Sequence, residues 1–229
     1  MTTSPQVSPR VAAMIKKTRA NRGRLIVAMD ATASREVMWD VASKLMGDMF
    51  MEVAAIGGLD VQLVYYGGAY GEVKQIAWTN DVSELVDRMG TIRCSAGPTN
   101  IKGILRHIRA ENDREKVNAA VFVGDAIEES PPELYDAAMG LDVPAFWFQE
   151  GDGQVTDPNN PYTQRGQRVE DVMRELSKIT SGAFAKFDAS AAKKLGELLR
   201  AVAAFAVGGV AALARQKTES ARLLIGQMK

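Results

Sequence analysis

Leu25-Ile26-Val27-Ala28-Met29-Asp30-Ala31-Thr32-Ala33-Ser34 is the stretch on which the reading of the fold turns. Five apolar residues in a row, with no polar alternate, form the pattern of a strand buried on both faces, as in a parallel sheet covered by helices on either side. Asp30 ends that run. Beyond it, Val37, Val41, Leu45, Met49 and Val53 recur at helical spacing from Arg35 onward, and Gly57-Gly58 supplies a C-terminal stop. A buried strand, a short polar loop and a long helix are the first half of a β-α-β unit.

The pattern continues outward. The runs at 61–66 (VQLVYY) and 73–78 (VKQIAW) are β-prone and joined by Gly-rich GGAYGE, so they predict a hairpin and one antiparallel edge strand. Asn80 or Asp81 can cap a helix DVSELVDRM, and after the loop TIRCSAGPTN a second helix carries Ile101, Ile104, Leu105 and Ile108 on one face. AAVFVG at 119–124 is a buried strand ending in Asp125. It is followed by the helix PPELYDAAM with Pro near its start, the strand VPAFWFQ at 143–149, the helix VEDVMRELSKIT stopped at Gly182, and the strand AFAKFD at 183–188. This alternation predicts an α/β fold, a doubly wound, mostly parallel six-stranded sheet with one antiparallel edge strand. A basic segment is expected at 1–23, the sheet domain at 24–188 and a C-terminal helical extension at 189–229. In that extension Leu195, Leu198, Leu199, Val202, Phe205, Val210 and Leu213 suggest one amphipathic helix, kinked at Gly208-Gly209 and packed on its own domain.

With 229 residues, 46% of them apolar and 24% charged, the chain suits one well-buried core. Its 28 Lys and Arg balance its 28 Asp and Glu, so no general field attracts nucleic acid, which is not expected as the main partner. The one local excess, Arg10, Lys16, Lys17, Arg19, Arg22 and Arg24, reads as a solvated tail or short packed helix. Cys94 is the only cysteine, which excludes an internal disulfide and a thiolate cluster and points to a reducing compartment. MTTSPQVSPR has no apolar core of a secretory signal, and the most apolar run, Ala201 to Ala214, falls short of the roughly 20 residues that span a bilayer. No membrane span and a cytoplasmic location are expected; the oligomeric state stays open.

In an open doubly wound sheet, ligands bind beyond the carboxyl ends of strands where successive connections leave in opposite directions. A strand order of 3-2-1-4-5-6 would make the strands ending in Asp30 and Asp125 neighbours at that point. Asp30-Ala31-Thr32-Ala33-Ser34 offers an oxygen-bearing side chain at every second position, and Thr99 comes from the loop Gly97-Pro98-Thr99-Asn100 before a helix. Two carboxylates and three hydroxyls, with no Cys or His, are a hard-oxygen set suited to Mg²⁺.

Asp30-x-Thr32-x-Ser34, with Thr99 and Asp125 distant, resembles the metal-ion-dependent adhesion site of von Willebrand factor A domains, and the resemblance spans residues 24 to about 188, including the element order and the hairpin edge. It implies a Rossmann-like sheet and a metal site of Asp30, Thr32, Ser34, Thr99 and Asp125. It also implies Mg²⁺, or alternatively Mn²⁺, with an open position filled by a carboxylate of an acidic protein partner, and a place as adaptor or subunit of a larger assembly rather than as an enzyme. Two residues depart from the family pattern. Thr32 stands where Ser is usual, and its branched Cβ restricts the hydroxyl; Pro98 stands where Gly is frequent and stiffens the loop.

Other readings remain open. Ser34 could cap the long helix, Thr99 or Asn100 the next one, and Asp125 with Glu128 could form a capping pair. His107 reads as a surface residue and Cys94 as a small loop residue. A haloacid dehalogenase-like phosphohydrolase would use Asp30 with Gly124-Asp125 and Lys102, but Thr32 stands where its general acid belongs. A structural oligomerisation module with an idle metal site is the third alternative. The long loop from Glu150 to Gln167 should emerge on the rim that carries the metal site.

Overall fold

The structure is a computed structural model and describes residues 22–32, 39, 41–42, 44–46, 58–153, 155–156, 167–188 and 192–228. Its strands are β1 (Gly23–Asp30), β2 (Leu59–Gly67), β3 (Glu72–Gln75), β4 (Ala119–Gly124), β5 (Ala145–Glu150) and β6 (Phe184–Phe187). They form one six-stranded sheet in the order β3-β2-β1-β4-β5-β6. All neighbouring pairs are parallel except β2 with β3, which makes β3 the antiparallel edge.

The helices whose bounds are described are α1 (Val82–Thr91), α2 (Ile101–Arg114), α3 (Pro131–Ala138), α4 (Val169–Ile179), α5 (Ala192–Arg215) and α6 (Glu219–Ile225). Successive residues of β1 point to opposite faces, as the pleat requires. Leu25, Val27 and Met29 join one core with Leu85 and Met89 of α1 and Leu195, Leu198 and Val202 of α5. Ile26 and Ala28 join the other, with Ile104 and Leu105 of α2, Leu134 of α3 and Met173 and Leu176 of α4. Both faces of the sheet are therefore covered, and the uninterrupted apolar runs at 25–29 and 119–124 follow from that. Of the long helix expected from Arg35, residues 39, 41–42 and 44–46 are described and helical, with Trp39, Ala42 and Met46 in the first core. Gly58 has φ +80°, in keeping with a stop beside it.

Four expectations change. Arg22 and Arg24 do not belong to a solvated basic tail: the Arg22 guanidinium pairs with Asp60 at 2.8 Å, and Arg24, 9% exposed, lies 3.9 Å above the Trp78 ring. The residues 1–21 of that expected segment lie outside the described residues. The stop after α4 is set by Ser181 in the left-handed region (φ 53°), whereas Gly182 is required because a Cβ there would stand 1.8 Å from the Ala145 carbonyl oxygen. His107 is half-buried, with Nε2 2.8 Å from Oε1 of Gln62 on β2. The apolar helix is longer than the run in the sequence: α5 has 24 residues and is long and apolar enough to cross a membrane, although it packs on β1 and β4, with half of that apolar window buried. The expected kink is present, with Gly208 and Gly209 at non-helical angles, and α6 then forms a separate helix capped by Thr218.

Candidate metal and partner site

Asp30 ends β1, and Asp125 follows the last residue of β4. Because these strands are hydrogen-bonded neighbours in parallel register, their carboxyl ends open on the same crevice. The chain leaves β1 toward β2 and leaves β4 toward β5, so the crevice lies at the switch point of the sheet. Asp30, Thr32, Thr99 and Asp125, four of the five residues expected from the sequence, line one cleft of about 260 Å³, together with Ala96, Gly97, Ala126 and Glu128. The fifth, Ser34, lies outside the described residues.

Local chemistry holds each group. Asp30 is 2% exposed, and its Oδ1 accepts from the Thr32 N–H at 2.7 Å, which folds the loop back over the strand end. Thr99 is 8% exposed and sits on a loop clamped from two directions. On one side the β2–β3 hairpin fits against it. A Cβ on Gly97 would lie 1.8 Å from the Gly68 carbonyl oxygen, one on Gly71 would lie 2.7 Å from that of Pro98, and Asn100 Nδ2 donates to the Gly71 carbonyl at 2.8 Å. The Gly-rich hairpin is thus required by close backbone approach. On the other side, Thr99 N donates to Glu128 Oε2 at 3.0 Å and Glu128 N donates to Thr99 Oγ1 at 2.9 Å.

Glu129 extends this bracket. Its carboxylate accepts from Ile101 N at 2.6 Å, Lys102 N at 2.9 Å and Thr99 Oγ1 at 3.3 Å, so it satisfies the exposed donors at the start of α2. Burial raises its carboxyl above the usual carboxylate range, against the opposing pull of those hydrogen bonds. Asn100, not Thr99, caps α2, accepting from Gly103 N at 2.9 Å. Asp125 and Glu128 do not cap α3 either: its N-cap is Ser130, which makes no side-chain capping bond. Sequence reasoning missed the roles of Glu128, Glu129 and Gly97. The visible signal was the acidic pair directly after the second aspartate-ended strand.

The donor set fits a hard cation. Among the described residues no three His, Cys, Asp or Glu side chains converge on one point, so carboxylates alone would not enclose a metal, and hydroxyls and water must contribute. Thr99 Oγ1 donates one hydrogen bond and accepts one, which leaves a lone pair. No cationic side chain is among the described lining residues. Lys102, which a phosphohydrolase reading would need beside Asp30, instead lines the groove between α2 and α3 and pairs with Glu133 at 2.5 Å.

The loop after β5 is anchored beside the cleft, as expected. Val155 bridges Ile127, Thr156 N donates to the Ile127 carbonyl at 2.9 Å, and a Cβ on Gly153 would stand 2.4 Å from the Asp125 carbonyl oxygen. Residues 154 and 157–166 of that loop lie outside the described residues.

No protein-family model matches the chain, and no curated protein matches its sequence. Solved structures do match. The pilus adhesin SpaC from Lactobacillus rhamnosus GG is similar with TM-score 0.61 at 11% identity over 81% of this chain and 30% of that one. A von Willebrand factor type A protein from Catenulispora acidiphila has TM-score 0.53 at 13% identity over 82% of this chain and 43% of that one. Proximal thread matrix protein 1 from the mussel byssus, solved with a zinc-occupied MIDAS motif, has TM-score 0.56 at 14% identity over 80% of this chain and 45% of that one. The chain thus spans less than half the length of each of these structures. At such identities the likeness is one of architecture: the chain has the von Willebrand factor A fold, with five parallel strands, one antiparallel edge and helices on both faces.

Proposed function

We propose that this chain binds a divalent cation, Mg²⁺ or in its place Mn²⁺, at Asp30, Thr32, Ser34, Thr99 and Asp125, and that it uses the cation to capture a carboxylate of an acidic protein partner. The observation that carries the reading is the convergence of Asp30, Thr32, Thr99 and Asp125 on one cleft at the switch point of the sheet. A cation there would supply positive charge and an open coordination position. Asp30 and Asp125 would hold it, Thr32 and Thr99 would complete the oxygen set, and Glu128 would keep the Thr99 loop in place. With Asp30, Asp125 and Glu128 all carboxylates, the bare cleft repels an acidic group, so partner capture depends on the cation. The mussel protein's zinc-occupied motif on the same fold supports a divalent ion in general.

The role is one of binding rather than catalysis, as adaptor or subunit of a larger assembly. The single cysteine suits a cytoplasmic setting, and the balanced charge favours protein over nucleic acid as partner. Addition of MgCl₂ or MnCl₂ at about 100 times the dissociation constant is expected to stabilise the protein by about 2.7 kcal/mol, read as a rise in thermal midpoint. Asp30→Ala should abolish that rise together with Mg²⁺-dependent partner capture from native lysate. An equal rise in the variant contradicts the assignment.

A further inference from the structure

The tip of the β2–β3 hairpin carries Tyr70, which at 83% is the most exposed large apolar side chain among the described residues. Gly71 N donates to the Gly68 carbonyl at 2.9 Å and closes a turn with Ala69 and Tyr70 at its two central positions. Asn, Asp, Ser and Gly suit such positions through local hydrogen bonds or backbone freedom, and a large aromatic ring adds nothing to the turn. Among the described residues Tyr70 enters no hydrogen bond, ion pair or ring contact. A lone surface aromatic is ordinary, but the place of this one is set by the wall of the cleft. Ala96 and Gly97 line the cleft, and the hairpin backbone fits against their loop at two points, Gly68 on Gly97 and Gly71 on Pro98, with Asn100 donating to the Gly71 carbonyl. Ala69, Tyr70, Ala96 and Pro98 are all exposed, so a braced apolar ridge borders the cleft on its hairpin side.

We infer that this ridge is the second half of the partner surface: the partner is an acidic segment with an apolar side chain within about four residues of the carboxylate that reaches the cleft, and that side chain packs on the Tyr70 ring and Pro98. The inference rests on the proposed carboxylate capture and names the further feature its partner must carry. Thr99 to Pro98 and Gly71 to Tyr70 are each one Cα step of about 3.8 Å, and Gly71 and Pro98 are in contact, so Tyr70 stands roughly 13 Å or less from Thr99 along that path. An extended segment covers this span in about four residues at about 3.3–3.6 Å each. A carboxylate alone carries little information, because any exposed Asp or Glu supplies one. Tyr70 adds a large amphipathic contact with two side-chain torsions to fix, on a backbone already held, so little ordering cost opposes binding. Its exposure is then what a contact residue requires.

The probe is a phage-displayed library of short peptides with Asp fixed at the centre and random positions on both sides, alongside a library with Ala in place of that Asp. Both are selected on the immobilised full chain in MgCl₂ and again in EDTA. Wild type should enrich, from the Asp library and in MgCl₂ only, peptides with Leu, Met or an aromatic residue at one preferred spacing from the Asp. Tyr70→Ser should keep the Mg²⁺-dependent choice of Asp over Ala but lose the preference at that spacing. A synthetic peptide selected on wild type should bind Tyr70→Ser at least about fivefold more weakly, and Tyr70→Phe should retain the affinity. Mg²⁺ affinity by titration calorimetry and the thermal midpoint should be equal in Tyr70→Ser and wild type, which a structural role for the ring would not allow. Mg²⁺-dependent Asp peptides without a preferred apolar position, or a preference that survives Tyr70→Ser, overturn the inference and leave carboxylate capture in place. A wild type with no Mg²⁺-dependent enrichment of Asp peptides overturns carboxylate capture itself, and the inference with it.

Discussion

The two ends of the sheet handle buried charge in opposite ways. At the amino end, Arg24 stacks on Trp78 and stands 3.9 Å from Glu111, whose carboxylate also accepts from Trp78 Nε1 at 2.6 Å and from Arg114 at 2.7 Å. Each charge there meets an opposite one, and the cluster ties β1 to the end of α2. At the carboxyl end, Asp30 is more deeply buried, Asp125 and Glu128 line the same cleft, and the described lining carries no cationic side chain. Carboxylates gathered in one buried cleft repel one another, and in the proposed reading a cation offsets that repulsion. The comparison therefore separates an end whose charges are paired within the fold from the end at which the proposed function places a cation.

The largest expected effect comes from breaking the first of these. Arg24→Ala removes the guanidinium that faces Glu111, Trp78 and the Glu115 carbonyl, and about 3 kcal/mol of stability should be lost, at the lower end of the range for broken buried pairs because Arg114 remains on Glu111. Chemical denaturation measures that loss, while the Mg²⁺-induced rise in midpoint should persist. Gly97→Ala sharpens the contrast. Its Cβ cannot coexist with the Gly68 carbonyl, so a moderate loss of about 2 kcal/mol should come together with a lost Mg²⁺ response as the Thr99 loop is displaced. A retained response would show that the hairpin does not position Thr99.

A smaller effect is expected away from the cleft. Asp81 caps α1 by accepting from Ser83 N at 2.8 Å and Glu84 N at 3.3 Å, so Asp81→Ala should cost about 1 kcal/mol with Mg²⁺ affinity unchanged. The smallest is a pH effect at His107. Burial, with help from Arg114 and against Glu111, lowers its pKa below the ordinary 6.5. The unfolded chain therefore takes up the proton first, so this contribution is present above about pH 6.5 and declines as pH falls toward the folded value. His107→Gln should flatten that part of the stability profile between pH 7 and 5, and an unchanged profile would place the acid sensitivity elsewhere.

Much of the architecture was legible in the sequence because burial on both faces leaves a simple mark. LIVAM and AAVFVG have no polar alternates, each strand end beside the cleft is announced by an aspartate, and the order β3-β2-β1-β4-β5-β6 follows from placing those two strands side by side. The convergence of Asp30, Thr32, Thr99 and Asp125 was legible for the same reason. What escaped depends on contacts between distant segments. The burial of Arg24 needs Trp78 and Glu111. The bracket around Thr99 needs Glu128 and Glu129, about 30 residues away, and only the close approach of Gly68 shows why position 97 is glycine. His107 looked like a surface residue because the helix pattern does not reveal Gln62 beside it.

The most direct test of the central claim is anomalous diffraction from crystals of the full chain grown with MnCl₂. The account predicts a Mn²⁺ peak in the cleft bounded by Asp30, Thr99 and Asp125, with the Thr32 and Ser34 hydroxyls turned toward it, and no such peak in Asp30→Ala. A fully occupied peak elsewhere with the cleft vacant would contradict it.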